Sequence, residues 1–135
     1  MQRPTRGLLA AVSLALLSPA LLVAPAQAEP AKTVATTVTY TNFTLAEGTQ
    51  VTFHGLVKSK KPFCRSNRKV TLRQTTQGIV AGTGTSAPKG KWRVSFDGDN
   101  VDPGKFKVSV ARKVVRHQGR KYVCLPASRT FTVEG

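Results

Sequence analysis

Carboxylates are nearly missing from this sequence. Only six of its 135 residues are Asp or Glu. They are Glu29, Glu47, Asp97, Asp99, Asp102 and Glu134, mostly in turns and termini, so no pair stands out of the kind that glycoside hydrolysis requires. Histidine is scarcer still, with His54 and His117 alone. A nucleophilic triad would need one of them joined to a Ser and an acid, and no Gly-x-Ser-x-Gly elbow is present. No cofactor motif occurs, and helical periodicity is absent after residue 28. These absences argue against an enzyme. Asp97-x-Asp99-x-x-Asp102 is the one run that could offer several oxygens to a hard cation. It lacks the glycine and distal glutamate of an EF-hand, and it reads as a polar connection with no metal.

Long apolar runs are missing too, with one exception. Arg3 and Arg6 precede an apolar stretch from Leu8 to Val23, and Ala26-Gln27-Ala28 offers a small-x-small cleavage site. That is the layout of a secretory signal peptide, with a retained membrane anchor as the other reading. The expected organisation is a signal peptide over 1–28, a flexible tail over 29–33 and one domain over 34–135. The expected location is outside the cell, with cell-wall association as an extension of that reading. The two cysteines, Cys64 and Cys124, are then expected to form one structural disulfide. Closing a loop of that size stabilises by about 4 kcal/mol in the chain-entropy picture.

What the chain does contain is two-residue alternation, the period of a half-buried strand. It is clearest at Val51, Phe53, Gly55 and Val57, at Val70 and Leu72, at Trp92, Val94 and Phe96, and at Phe106, Val108 and Val110. Strands are expected over 34–40, 51–58, 69–73, 79–85, around Trp92, from 106 to about 115, over 121–125 and over 129–133. Gly, Pro and polar turns separate them, as at Gln77-Gly78, Ala87-Pro88-Lys89-Gly90 and His117-Gln118-Gly119-Arg120. Seven or eight short strands in one domain argue an all-β Greek-key sandwich, Ig-like or prealbumin-like, with a closed barrel as the runner-up. Trp92 is expected to pack against the disulfide in the core.

The order Gly55-x-Val57, Cys64, Arg68-x-Val70-x-Leu72, Gly90-x-Trp92-x-Val94, Pro103-Gly104-x-Phe106-x-Val108, Cys124 resembles small secreted actinobacterial Ig-like or transthyretin-like sandwich domains. It is also similar to the wider carboxypeptidase-regulatory-type modules. The resemblance covers most of the chain from Val51 to Val133 and implies a non-catalytic accessory, adhesive or spacer module. The shared positions are turn glycines and core residues, which report architecture rather than activity.

Charge is the remaining signal. Without Arg3 and Arg6, 19 basic residues stand against six acids, a formal +13. Lys69, Arg73, Lys91, Arg93, Lys105 and Lys107 lie on the parity opposite to the core residues. If their strands share a sheet, they form one basic face. Further cations crowd the connections: Lys58, Lys60, Lys61, Arg65 and Arg68, then Arg112, Lys113, Arg116, Arg120 and Lys121. Such a charge concentrates polyanions and speeds their association. Outside a cell these would be wall polymer, polysaccharide, anionic lipid or DNA. The bland counterpart is a solubilising surface on an edge-rich β protein. Sequence-specific nucleic-acid reading lacks a helix to enter a groove. The expected function is therefore a secreted interaction or structural module that contacts anionic envelope polymers. The alternative is a ligand-binding or inhibitor protein acting through loops 58–68, 97–104 and 116–120.

Overall fold

The computed structural model describes residues 29–135. The signal peptide read over 1–28 lies outside the described residues.

Ten strands form in chain order: β1 (Lys32–Val34), β2 (Thr37–Leu45), β3 (Gln50–Lys58), β4 (Lys69–Gln74), β5 (Ile79–Thr85), β6 (Lys91–Asp97), β7 (Gly104–Val110), β8 (Lys113–His117), β9 (Arg120–Cys124) and β10 (Ala127–Val133). A single 3₁₀ turn, Pro62–Cys64, interrupts the connection from β3 to β4. Two sheets face each other, β2-β3-β6 and β10-β7-β4-β5. A third and smaller sheet, β1-β9-β8, sits at one end, with β1 parallel to β9. The fold is an all-β sandwich closed by one disulfide, Cys64–Cys124.

Alternation builds the core. Phe53 and Val57 of β3, Val70 and Leu72 of β4, Trp92, Val94 and Phe96 of β6, and Phe106, Val108 and Val110 of β7 are all buried between the two large sheets. Phe53 is the hub of the aromatic part. Its ring lies 5.0 Å from those of Phe96 and Phe106, both edge-on, an arrangement that suits the ring quadrupoles. Trp92 is buried as expected, but away from the disulfide. Its indole lies over Gly55, and its Nε1 donates to the Thr39 carbonyl at 3.0 Å. A Cβ at Gly55 would overlap both that carbonyl oxygen and the indole. The disulfide instead joins a satellite cluster with Val34, Phe63, Val115 and Tyr122.

Several expectations change. Lys32 and Thr33, read as flexible tail, begin β1, where the tail gains the backbone partners of β9. The strand read over 34–40 is two strands, broken at Ala35-Thr36. The strand read from 106 to 115 also breaks, at Ala111-Arg112. Ala111 N donates to the Lys69 carbonyl and its own carbonyl is taken by a side chain, so the ladder ends there. β8 then leaves for the small sheet, and the two breaks turn the eight expected stretches into ten strands.

The side chain that takes the Ala111 carbonyl belongs to Arg68, which has no exposed surface. Read from sequence as one more loop cation, it is a buried tie. Nε and Nη2 donate to Ala111 O (3.3 and 2.7 Å), Nη2 also to Leu125 O (2.9 Å), and Nη1 to Cys64 O (2.8 Å) and Thr36 Oγ1 (3.0 Å). All five N–H donors of the guanidinium are thereby used, with no carboxylate among the acceptors. Burial lowers the Arg68 pKa, yet an arginine stays protonated in a protein. Removing the donors would strand three carbonyls and the Thr36 hydroxyl, from four separate segments. We expect Arg68→Met to lose about 3–5 kcal/mol of unfolding free energy in urea titration. Arg73→Met, on an exposed position of the same strand, should change it by less than about 0.5 kcal/mol.

Candidate functional site

Tracing each strand from end to end sorts the connections into two groups. At one end lie the β2–β3, β4–β5 and β6–β7 turns and the C-terminus. These stretches, 46–49, 75–78, 98–103 and 134–135, hold Glu47, Asp99, Asp102 and Glu134 and no Lys or Arg. Asp97, the last residue of β6, adds to them. At the opposite end lie the connections 59–68, 86–90 and 111–126. These hold ten Lys or Arg and no acid. Arg68 is buried among them, and most of the others reach solvent. Among the described residues a single ion pair forms, Arg120 Nε with Glu29 Oε2 at 3.8 Å.

The six cations expected on one face divide between two. Lys69 and Arg73 of β4 and Lys105 and Lys107 of β7 share the outer surface of the four-stranded sheet, where Arg73 stands directly opposite Lys107. Hydroxyls surround them in register: Thr130 beside Lys107, Thr132 beside Lys105, and Thr71 between Ser109 and Thr83. Lys91 and Arg93 belong to β6 and the other sheet, so they project from the opposite side of the sandwich. Strand parity places all six outward, but parity cannot say which strands are neighbours.

The three loops also separate. Loops 58–68 and 116–120 meet at the basic end, where the disulfide and the contact between the 3₁₀ turn and β8 join them. Loop 97–104 is at the acidic end. There the Asp97 carboxylate accepts from the Asp99 amide (2.9 Å) and Asn100 Nδ2 (3.4 Å), and Asp102 Oδ2 accepts from Gln77 Nε2 (3.1 Å). Hydrogen bonding from Thr49 and then the Asp99 amide holds the Asp97 pKa below its usual value. The buried Gln74 fastens the same loop by donating to the Asp102 and Pro103 carbonyls. The Asp97 and Asp102 carboxylates thus fasten the turn, Asp99 joins through its amide, and no cluster of three potential metal ligands occurs among the described residues.

Histidine chemistry finds no assembly either. His54 faces outward on β3, with Nε2 3.0 Å from Thr44 Oγ1, whereas His117 ends β8 with its ring stacked on Phe63 at 4.7 Å. What the sequence reading missed is this aromatic group at the basic end. Phe63 also meets Tyr122 at 4.8 Å. Lys61, Pro62, Phe63, His117, Gln118 and Tyr122 line a notch of about 380 Å³. Its sequence signal, one aromatic beside Cys64 and another two positions before Cys124, needs the disulfide to be read.

Lys113 underpins the notch. Its Nζ donates to the carbonyls of Phe63 (3.3 Å) and Ser66 (2.8 Å). Burial, followed by the nearby Arg68 charge, lowers its pKa. The folded form therefore binds the Lys113 proton less tightly than the unfolded chain does. Stability gained from this group rises as pH climbs through the lowered pKa toward the ordinary lysine value near ~10.4. We expect the urea midpoint of the wild type to rise across this alkaline window more than that of Lys113→Met. Equal slopes would remove Lys113 as the source.

Comparison with known proteins gives no matching family model, no similar curated protein and no similar solved structure.

Proposed function

We propose that this protein is an exported, non-catalytic sandwich module that holds an anionic polymer of the cell envelope through its basic end. The observation that carries the reading is the partition of charge: ten basic residues and no acid in connections 59–68, 86–90 and 111–126. Apart from Arg120, which pairs with Glu29, these cations form no ion pair among the described residues. Cations placed together in this way repel one another, and an anionic ligand relieves that repulsion as it binds. Arg116 and Lys121 are an example, since they sit directly opposite each other in the β8–β9 hairpin. The basic side of the four-stranded sheet, with Lys69, Arg73, Lys105 and Lys107, gives a long polymer somewhere to continue. The resemblance to small secreted Ig-like and transthyretin-like modules points the same way, toward binding rather than catalysis.

The second reading, a ligand-binding or inhibitor protein, draws on the same end because loops 58–68 and 116–120 converge there. Salt separates the two, since electrostatic retention weakens steadily with ionic strength and a packed protein contact does not. We expect retention on an anionic polysaccharide matrix to fall continuously along a salt series. The combined change Lys60→Gln, Lys61→Gln, Arg116→Gln and Lys121→Gln should weaken binding about tenfold or more. The same number of changes at Lys69, Arg73, Lys105 and Lys107 should weaken it less. Salt-independent retention would favour the protein-partner reading, and equal loss from both sets would move the contact away from the end.

A further inference from the structure

We infer that the notch between the 3₁₀ turn and the β8–β9 hairpin is a sugar subsite, which seats one pyranose ring of an acidic polysaccharide. This rests on the polyanion reading above and names the polymer class. Four observations converge on it.

The first is the surplus of aromatic surface. Tyr40, Phe53, Phe96, Phe106 and Phe131 serve the main core, but Phe63 and Tyr122 stand apart at the tip and are only half-buried. With the exposed His117 they leave an open recess of about 380 Å³. That is within the range of small-ligand sites and ample for a single ring. A pyranose presents a face of C–H bonds that packs well on an aromatic wall.

The second is rigidity. Phe63 adjoins Cys64, whose disulfide fixes the turn to β9 two residues beyond Tyr122. Lys113 holds the Phe63 carbonyl from below. The hairpin closes at Gln118 and Gly119, both with positive φ (50° and 75°), the geometry of a tight two-residue turn that matches strand twist. Such a site needs little ordering on binding.

The third is an unmet donor. Arg120 faces His117 across the hairpin and shares the side of β9 that carries Tyr122. Its Nε is shielded from water, has no hydrogen-bond partner among the described residues and lies 3.8 Å from the Glu29 carboxylate. A shielded donor left without an acceptor is costly, and the Arg120 side chain as a whole is 36% exposed, so a carboxylate or sulfate oxygen can reach the guanidinium.

The fourth is charge at the rim. Lys61 lines the notch, and Arg120 lies next to it on the side of β9 that carries Tyr122. An acidic sugar meets both requirements at once: a C–H face for Phe63 and Tyr122, and an anionic group for Lys61 and Arg120. A polyphosphate meets only the second.

The test compares binding of the whole described chain to a hexameric oligogalacturonate and to a polyphosphate of equal charge, by calorimetry at physiological ionic strength. The saccharide should bind about tenfold more tightly. Phe63→Ala and Tyr122→Ala should bring it down to the polyphosphate level and leave polyphosphate binding unchanged. Because Phe63 and Tyr122 touch the disulfide cluster, His117→Ala is the companion variant. Its side chain is exposed, and it should weaken the saccharide alone, by about threefold. Equal affinity for both ligands, or equal losses on both in His117→Ala, would overturn the subsite and leave the polyanion reading standing. Binding of neither ligand would overturn both.

Discussion

A guanidinium without a carboxylate holds this sandwich together at one end. Moving a charge out of water costs several kcal/mol even after the protein relaxes, and a counter-ion is the usual remedy. Arg68 is instead surrounded by the oxygens of Thr36, Cys64, Ala111 and Leu125. Each belongs to a different junction: β1 to β2, the 3₁₀ turn, β7 to β8, and β9 to β10. At each of these places the chain leaves one sheet for another, and Arg68 meets the polar group found there, a carbonyl at three of them and the Thr36 hydroxyl at the fourth. Five donors in a fixed planar fork suit that task, and the three of a lysine would leave part of it unmet.

Meeting the need with carbonyl dipoles has an electrostatic result. An Asp or Glu beside Arg68 would have put a negative charge at the very end where loop cations gather. Without such an acid, that end carries its many cations against Glu29 alone, while the turns at the far end carry acids alone. Arg68 also depresses the neighbouring Lys113, and Lys113 holds the backbone of Phe63. The buried tie, the uniform sign of the surface charge and the placement of the aromatic notch therefore come from one local arrangement.

Much of the fold was legible in the sequence because β-strand parity is a local property. Val51 to Lys58 and Trp92 to Phe96 show their inner and outer faces with no knowledge of their neighbours. Pairing is not local. Lys69 and Lys91 look alike by parity, yet they lie on opposite sides of the molecule because β6 pairs with β3. The same limit hid the split of the 106–115 strand, since Ala111 ends its ladder only when Arg68 arrives from 43 residues away. The notch was invisible for a related reason. Phe63 and Tyr122 lie far apart in the sequence, and only the disulfide and hairpin register place them together.

The sorting of charge along the strands makes the molecule a permanent dipole whose axis runs along the strands. Near a negatively charged wall, such a body experiences a torque as well as an attraction. It would arrive already aligned, strands along the surface normal and tip inward, before any side chain touches the polymer. The opposite pole, with the exposed Leu45 and the partly exposed Phe43 beside its acids, would then face away from the wall. A layer of such molecules would turn a diffuse anionic surface into an ordered one, in which every copy displays the same end.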